Sequence, residues 1–154
     1  MQPGPAILRP FSKRYASLDI GTSGMTKPSV EDRRLARLTR ICLALPEVTR
    51  ECHGQHAGFL VRKKTFVYFL NNHHGDGIVA VTCKVLPGDN TALVAANPFR
   101  FYLPAYVGSR GWVALRLDLG DIDWDEVTEL VAGSYQLIAP KRLAVLAGGR
   151  RNSG

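Results

Sequence analysis

Apolar positions at helical spacing mark the first ordered part of the chain. Ser29 and Asp32 have the S-x-x-D spacing of a capping box, which is typical of a helix N-terminus. The apolar positions that follow recur every three or four residues: Leu35, Leu38, Ile41, Cys42 and Leu45. Because Pro46 cannot continue a helix, the pattern predicts a helix that begins at Ser29 and ends before Pro46.

Beyond this helix the pattern changes to the composition and period of strands. Branched and aromatic residues, or partial alternation, predict strands over residues 58–62, 65–71, 78–85 and 112–119. Cap and proline signals predict helices over residues 91–96 and 123–138 and a short helical segment after Pro140. This order predicts an α+β fold, with an antiparallel sheet of about four to five strands covered on one face by helices.

Proline and glycine separate this region from both ends of the chain. Residues 1–28 contain four prolines and no sustained apolar period, and residues 148–154 read GGRRNSG. We therefore expect a disordered leader over residues 1–28, one domain over residues 29–147 and a flexible tail over residues 148–154, with both ends dispensable for folding.

No apolar run is long enough to span a bilayer or to act as a secretory signal, so we expect a cytoplasmic protein without membrane contact.

The net charge of +7 is concentrated in the two ends. Residues 1–30 carry four Lys/Arg and one Asp, residues 148–154 carry two Arg, and residues 31–147 carry fourteen Lys/Arg and twelve Asp/Glu. The ends therefore account for +5 and the body for +2. A basic composition favours nucleic acid as a partner, but in the body only local patches can provide the contacts.

Two local patches are candidates for contact with DNA phosphates. Arg33, Arg37 and Arg40 fall on one side of the predicted first helix, opposite its apolar face. Arg62 ends one predicted strand, and Lys63 and Lys64 lie between it and the next, where a hairpin turn is expected. Arginines on a helix and basic hairpin tips both reach DNA backbones, so duplex DNA is the expected partner. The alternative is that these residues form ordinary solvated faces.

Other chemical motifs are weak or absent. Cys52-His53-x-x-His56 lacks a fourth ligand at recognisable spacing, and the three cysteines, an odd number without CxxC spacing, are expected to be reduced thiols. His73-His74 belongs to a predicted turn, and the acidic residues around Asp123 suit a helix N-terminus. Since no phosphate-binding, dinucleotide or hydrolase motif is present, we expect no metal, no cofactor and no catalytic residue, and the sequence supports no enzyme activity.

Four strings spread over the body carry a family resemblance. They are LALPEV at residues 43–48, YVGSRGWV at residues 106–113, DWDEV at residues 123–127 and SYQLIAPKR at residues 134–142. In this order they resemble the MmcQ/YjbR-like family over about residues 31–147. The resemblance implies a compact α+β fold with an antiparallel sheet, similar to the bacterial frataxin-like fold. It implies no established catalytic residue.

A double-winged DNA-binding role has been suggested for this family, and the resemblance therefore adds to the expectation of a DNA-binding module. Hairpin wings and a basic helix would correspond to the two patches described above. Two alternatives remain open at this point. One is a small-molecule-binding or protein-interaction domain with a cleft near Tyr106, Trp112 and Tyr135. The other is an enzyme of unknown reaction.

Overall fold

The computed structural model of the chain describes residues 31–72 and 75–153, with side chains through residue 148. Four α-helices occur in this part of the chain: α1 (Arg33–Leu43), α2 (Asp89–Ala96), α3 (Trp124–Ile138) and α4 (Lys141–Ser153). Six strands form its sheet: β1 (Val48–His53), β2 (His56–Val61), β3 (Lys64–Asn71), β4 (Val79–Lys84), β5 (Phe101–Tyr102) and β6 (Trp112–Arg116). A short 3-10 helix, Gly108–Arg110, precedes β6.

The strands form one sheet in the order β1-β2-β3-β4-β6-β5, and every neighbouring pair is antiparallel. The predicted α+β class is confirmed, but the sheet has six strands rather than four to five. The two strands without a sequence prediction lie at its edges. β1 has the sequence VTRECH, which carries little apolar alternation, and β5 has two residues, so neither gives a recognisable pattern.

The main core lies between one face of the sheet and the helices. Phe59, Phe69, Val81 and Leu115 from the sheet belong to the same buried cluster as residues of α1, α3 and α4, and α2 packs against it. The expected covering of one face by helices is therefore confirmed. A smaller cluster of Tyr68, Val107 and Trp112 forms on the opposite face, where alternate strand residues point.

The first helix begins later than the capping pattern predicted. Ser29 lies outside the described residues, and residues 31 and 32 are not helical. Asp32 is itself the N-cap, because its carboxylate accepts the backbone N–H of Arg34 at 2.8 Å. At its other end the helix stops at Leu43, before Pro46.

α4 continues through Ser153, past the boundary expected at residue 147, while its described buried residues are Leu143, Ala144 and Ala147. Residues 1–28 and the His73-His74 pair lie outside the described residues. The mobility and the dispensability of both ends remain predictions.

Candidate nucleic-acid interface

The arginine stripe lies on the exposed side of α1, as the helical period predicted. Arg33, Arg37 and Arg40 are exposed, whereas Leu38 and Cys42 on the opposite side are fully buried. At about 1.5 Å of rise per residue, Arg33 and Arg40 are separated by roughly 10 Å along the helix axis. The stripe is therefore a linear row of cations, and its position does not depend on a flexible loop.

Arg37 has a partner within the fold. Its guanidinium carbon lies 5.1 Å from the ring centroid of Trp124, the first residue of α3. A guanidinium over an indole face is attracted by the ring electrons and remains charged. Arg37 can therefore still face a phosphate, although its side chain also connects α1 to α3.

The basic turn between β2 and β3 has a fixed backbone conformation. Arg62 and Lys63 are its two central residues, and both have positive φ, of 51° and 69°. Positive φ at both central positions is the signature of a type I′ turn, which matches the twist of the adjoining strands. Lys64, which the sequence placed in the turn, is instead the first residue of β3. All three side chains are exposed at the end of a rigid hairpin.

Arg62 differs from the two lysines because a carboxylate engages it. Its Nε and one terminal nitrogen donate to the two carboxylate oxygens of Glu47, at 2.6 and 3.2 Å. This paired hydrogen bond lowers the pKa of Glu47 and raises the pKa of Arg62. Both side chains are about half exposed, so the pair is accessible to solvent and ions. Part of the Arg62 charge is thus neutralised within the protein.

The topology brings only some of the six predicted residues together. The start of α1 lies beside the end of β6, where Arg34 donates to the carbonyl of Leu117 at 3.3 Å. The chain leaves α1 at the opposite end of the sheet and enters β1 at Val48, which pairs with Val61 beside the basic turn. Arg40, in the last turn of α1, therefore lies toward the basic turn, while Arg33 lies at the far end of the helix.

Two cations that were not predicted as site residues occur at this same end. α3 ends here, since the hydroxyl of Tyr135 donates to the carbonyl of Pro46 at 2.7 Å, and α4 begins directly afterwards with Lys141 and Arg142. Arg142 is close enough to Glu47 to contribute to the lowering of that pKa. The sequence shows these two adjacent basic residues after Pro140, but it does not show that they lie near the hairpin, because that proximity depends on tertiary packing.

We call the resulting surface the basic corner. It is formed by Arg40, Arg62, Lys63, Lys64, Lys141 and Arg142, with Glu47 at the Arg62 position. Among the described residues, Glu47 with Arg62 is the one recorded ion pair in this group.

The opposite end of the sheet is acidic. Asp76 lies in the β3–β4 connection, and Asp118, Asp121, Asp123 and Asp125 follow β6 into α3. Asp123 caps α3 by accepting the backbone N–H groups of residues 125 and 126, as the sequence predicted for this acidic run. Three of the arginines at this end are paired: Arg34 with Asp32, Arg100 with Glu126 and Arg116 with Asp118. The total charge of residues 31–147 is thus small, but one end of the sheet is basic and the other end is acidic.

The cleft expected near Trp112 and Tyr135 is not formed by those two residues. Trp112 belongs to the small cluster with Tyr68, at a ring distance of 5.7 Å, whereas Tyr135 packs edge-on against Phe66 in the main core. Trp112 points from β6 to the face opposite the helices, whereas Tyr135 belongs to α3, which covers the other face. Tyr106 is exposed on the connection before β6. The sequence had no information on which face each ring would occupy.

The Cys52-His53-x-x-His56 segment forms the β1–β2 hairpin. His53 and His56 are opposite each other in the register, and both are buried. The Nδ1 atom of His56 accepts the backbone N–H of Asn71 at 3.1 Å, which gives this ring a structural role. Across residues 31–72 and 75–153, no group of three His, Cys, Asp or Glu side chains is arranged to hold a metal ion. None of the helices described is both long and apolar enough to cross a membrane.

A six-stranded antiparallel sheet with helices on one face defines the chain as a small α+β domain. The sequence model of the YjbR family matches residues 43–137, more than half of the chain, and the chain belongs to that family. The fold is also similar to the crystal structure of protein DR2400 from Deinococcus radiodurans, which carries a DUF419 domain. The TM-score is 0.58 at 21% identity, covering 74% of this chain and 87% of that one. No curated protein matched the chain.

Proposed function

We propose that this YjbR-family domain binds duplex DNA through the basic corner, with the arginine stripe of α1 extending the contact surface. The observation that carries the proposal is the separation of charge: among the described residues, most cations without a recorded ion pair lie at one end of the sheet, and most carboxylates lie at the other. A polyanion is attracted to the first end and repelled from the second, so the field also orients the domain.

The geometry of the corner suits phosphate contacts. Lys63 and Lys64 lie on a hairpin whose turn conformation is fixed, and Arg142 and Arg40 come from helix ends beside it. Because the backbone that carries these cations is already ordered, binding costs little backbone entropy, and the cost is limited to the rotamer freedom of the side chains. Contacts of this kind position a protein on the duplex without reading its sequence. We therefore propose binding with little sequence preference.

The salt dependence of binding tests the proposal because each phosphate contact releases counterions. The corner variant carries Lys63→Ala, Lys64→Ala and Arg142→Ala, and the stripe variant carries Arg33→Ala, Arg37→Ala and Arg40→Ala. Both are made in the full chain and titrated with a fluorescent duplex at several salt concentrations. If all three corner cations contact phosphate, the slope of log K against log[salt] becomes shallower by about 2 to 3 units. The stripe variant produces a smaller change, because Arg33 lies far from the corner.

A leader variant with Arg9→Ala, Lys13→Ala and Arg14→Ala is the matched control, since it removes the same charge from outside the described fold. If the leader variant loses as much affinity as the corner variant, the binding is due to net charge or to the ends of the chain. If the corner variant binds like its parent, or if the parent binds no duplex at low salt, the proposal is wrong. Melting curves confirm that each variant is folded.

A further inference from the structure

A groove between two of the helices has a different chemistry from the basic corner. It lies between α2, α3 and the end of β4 and has a volume of about 410 Å³. This volume falls within the roughly 300–1,000 Å³ range of small-molecule sites. The apolar side chains that line it are Val85, Leu86, Leu93, Phe101, Leu130 and Leu137. Leu86 and Leu137 are 56% and 41% exposed at its sides, so apolar surface continues to the solvent.

Gly133 keeps this groove open. It lies in the middle of α3, where glycine is less favourable than alanine because it costs more backbone entropy. Its φ is not positive, and a Cβ atom placed there would meet no atom within 4 Å. Neither backbone conformation nor close packing therefore requires glycine at this position. The missing side chain leaves space next to this part of α3, and that space is part of the groove.

Carboxylates surround the apolar surface. Asp89 from the first turn of α2 and Glu126 and Glu129 from α3 line the groove, against the one ammonium group of Lys84. Glu126 is paired with Arg100. Asp89 has no recorded ion pair with another described residue. The lining is thus acidic, in contrast to the net positive charge of the whole chain.

We propose that this groove binds a small organic cation, with an apolar body and a single amine. The apolar body lies on Leu93, Phe101 and Leu130 above Gly133, and the ammonium group is placed toward Asp89. Apolar burial provides affinity, and the acidic lining selects for positive charge. This site is independent of DNA binding, because a phosphate backbone is repelled by the same carboxylates.

Two probes of matched shape and opposite charge test the inference. We titrate the full chain with 4-phenylbutylamine and, separately, with 4-phenylbutyrate, and follow the backbone amide resonances by NMR. We expect the amine to bind with saturable shifts at α2 and α3, and the carboxylate to bind more weakly or not at all. Equal binding of the two probes would overturn the charge argument, and no saturable shift with the amine would overturn the site.

Three variants locate the binding. Asp89→Asn should weaken the amine by about two- to fivefold, the range expected for one partly exposed charge contact. Asp125→Asn is its matched control, since Asp125 is also a first-turn acid but does not line the groove. Gly133→Leu should abolish binding by filling the groove. Gly133→Ala should keep the melting temperature equal or higher and leave most of the binding. Unchanged binding in Asp89→Asn rejects the inference, whether or not Gly133→Leu folds, and unchanged binding in a folded Gly133→Leu rejects it as well.

Discussion

Ser134 connects α3 to the sheet through two hydrogen bonds, and its replacement by alanine should strongly destabilise the domain. The side chain is fully buried. Its hydroxyl donates to the carbonyl of Phe66 at 2.6 Å and accepts the backbone N–H of Lys84 at 3.0 Å. One hydroxyl thus satisfies a carbonyl of β3 and an amide of β4.

The irregular pairing of β2 with β3 explains why Phe66 needs this bond. Phe59 pairs with Val67 and Leu60 with Thr65, so Phe66 is an extra residue between two paired positions. A bulge leaves its extra residue outside the regular ladder of hydrogen bonds. Without Ser134, both the Phe66 carbonyl and the Lys84 amide lose a partner in a buried environment. Each such loss costs about 1–3 kcal/mol, and partial relaxation makes about 2–4 kcal/mol a reasonable total.

Urea unfolding of the Ser134→Ala variant measures this cost. The midpoint should fall while the slope of the transition stays the same, because the surface exposed on unfolding hardly changes. The control is Ser109→Ala, whose exposed hydroxyl donates to the carbonyl of Tyr106 at 3.1 Å and whose removal should change stability by less than about 0.5 kcal/mol. A Ser134→Ala cost as small as that of the control would refute the role of the two bonds.

Three further predictions concern the core, the thiols and acid stability. Trp112→Ala should cost about 3–5 kcal/mol in urea unfolding, because Trp112 is 7% exposed; a cost below 1 kcal/mol would contradict its place in the core. Cys52 should be the one thiol that reacts rapidly with Ellman's reagent in the native protein, since burial raises the pKa of Cys42 and Cys83; three fast thiols would show that the core is open. The hydrogen bond from Arg116 lowers the pKa of Asp118 in the folded protein. The ionised carboxylate therefore stabilises the fold above the pKa that Asp118 has in the unfolded chain, and this stabilisation is lost as pH falls through the lower pKa of the folded protein. Asp118→Asn should therefore flatten the decline of unfolding free energy below about pH 4, and an unchanged profile would contradict this.

Local patterns predicted the helices well because each signal lies within one element. The apolar positions of α1 recur with its turn, and Leu35, Leu38 and Cys42 are buried as that period requires. The same reasoning predicted α3, whose cap Asp123 lies just before its apolar face. The arginine stripe on the exposed side of α1 could therefore be proposed from the sequence alone, and so could the basic hairpin.

Contacts between distant segments could not be predicted in the same way. The bond from Ser134 to Phe66 joins positions 68 residues apart, and no local pattern indicates a serine below a bulge. The placement of Trp112 and Tyr135 on opposite faces depends on the register and on the packing of α3. The groove beside Gly133 could not be predicted for the same reason. A glycine within a helix does not indicate which residues of other elements lie next to it.

The path of the chain through the fold determines where the positive charge is concentrated, and the total net charge does not. In an antiparallel sheet, successive hairpin turns point to alternate ends, so the β2–β3 turn with Lys63 and the β3–β4 connection with Asp76 must be separated. α3 then runs from the acidic end to the basic end and delivers Arg142 beside Glu47. A body with a formal charge of only +2 can therefore present a strongly basic corner, because its remaining cations are paired or lie elsewhere. Reversing the charge of one residue in that corner should change DNA affinity far more than the same reversal at Arg33, at the far end of α1, even though the net charge of the chain changes equally.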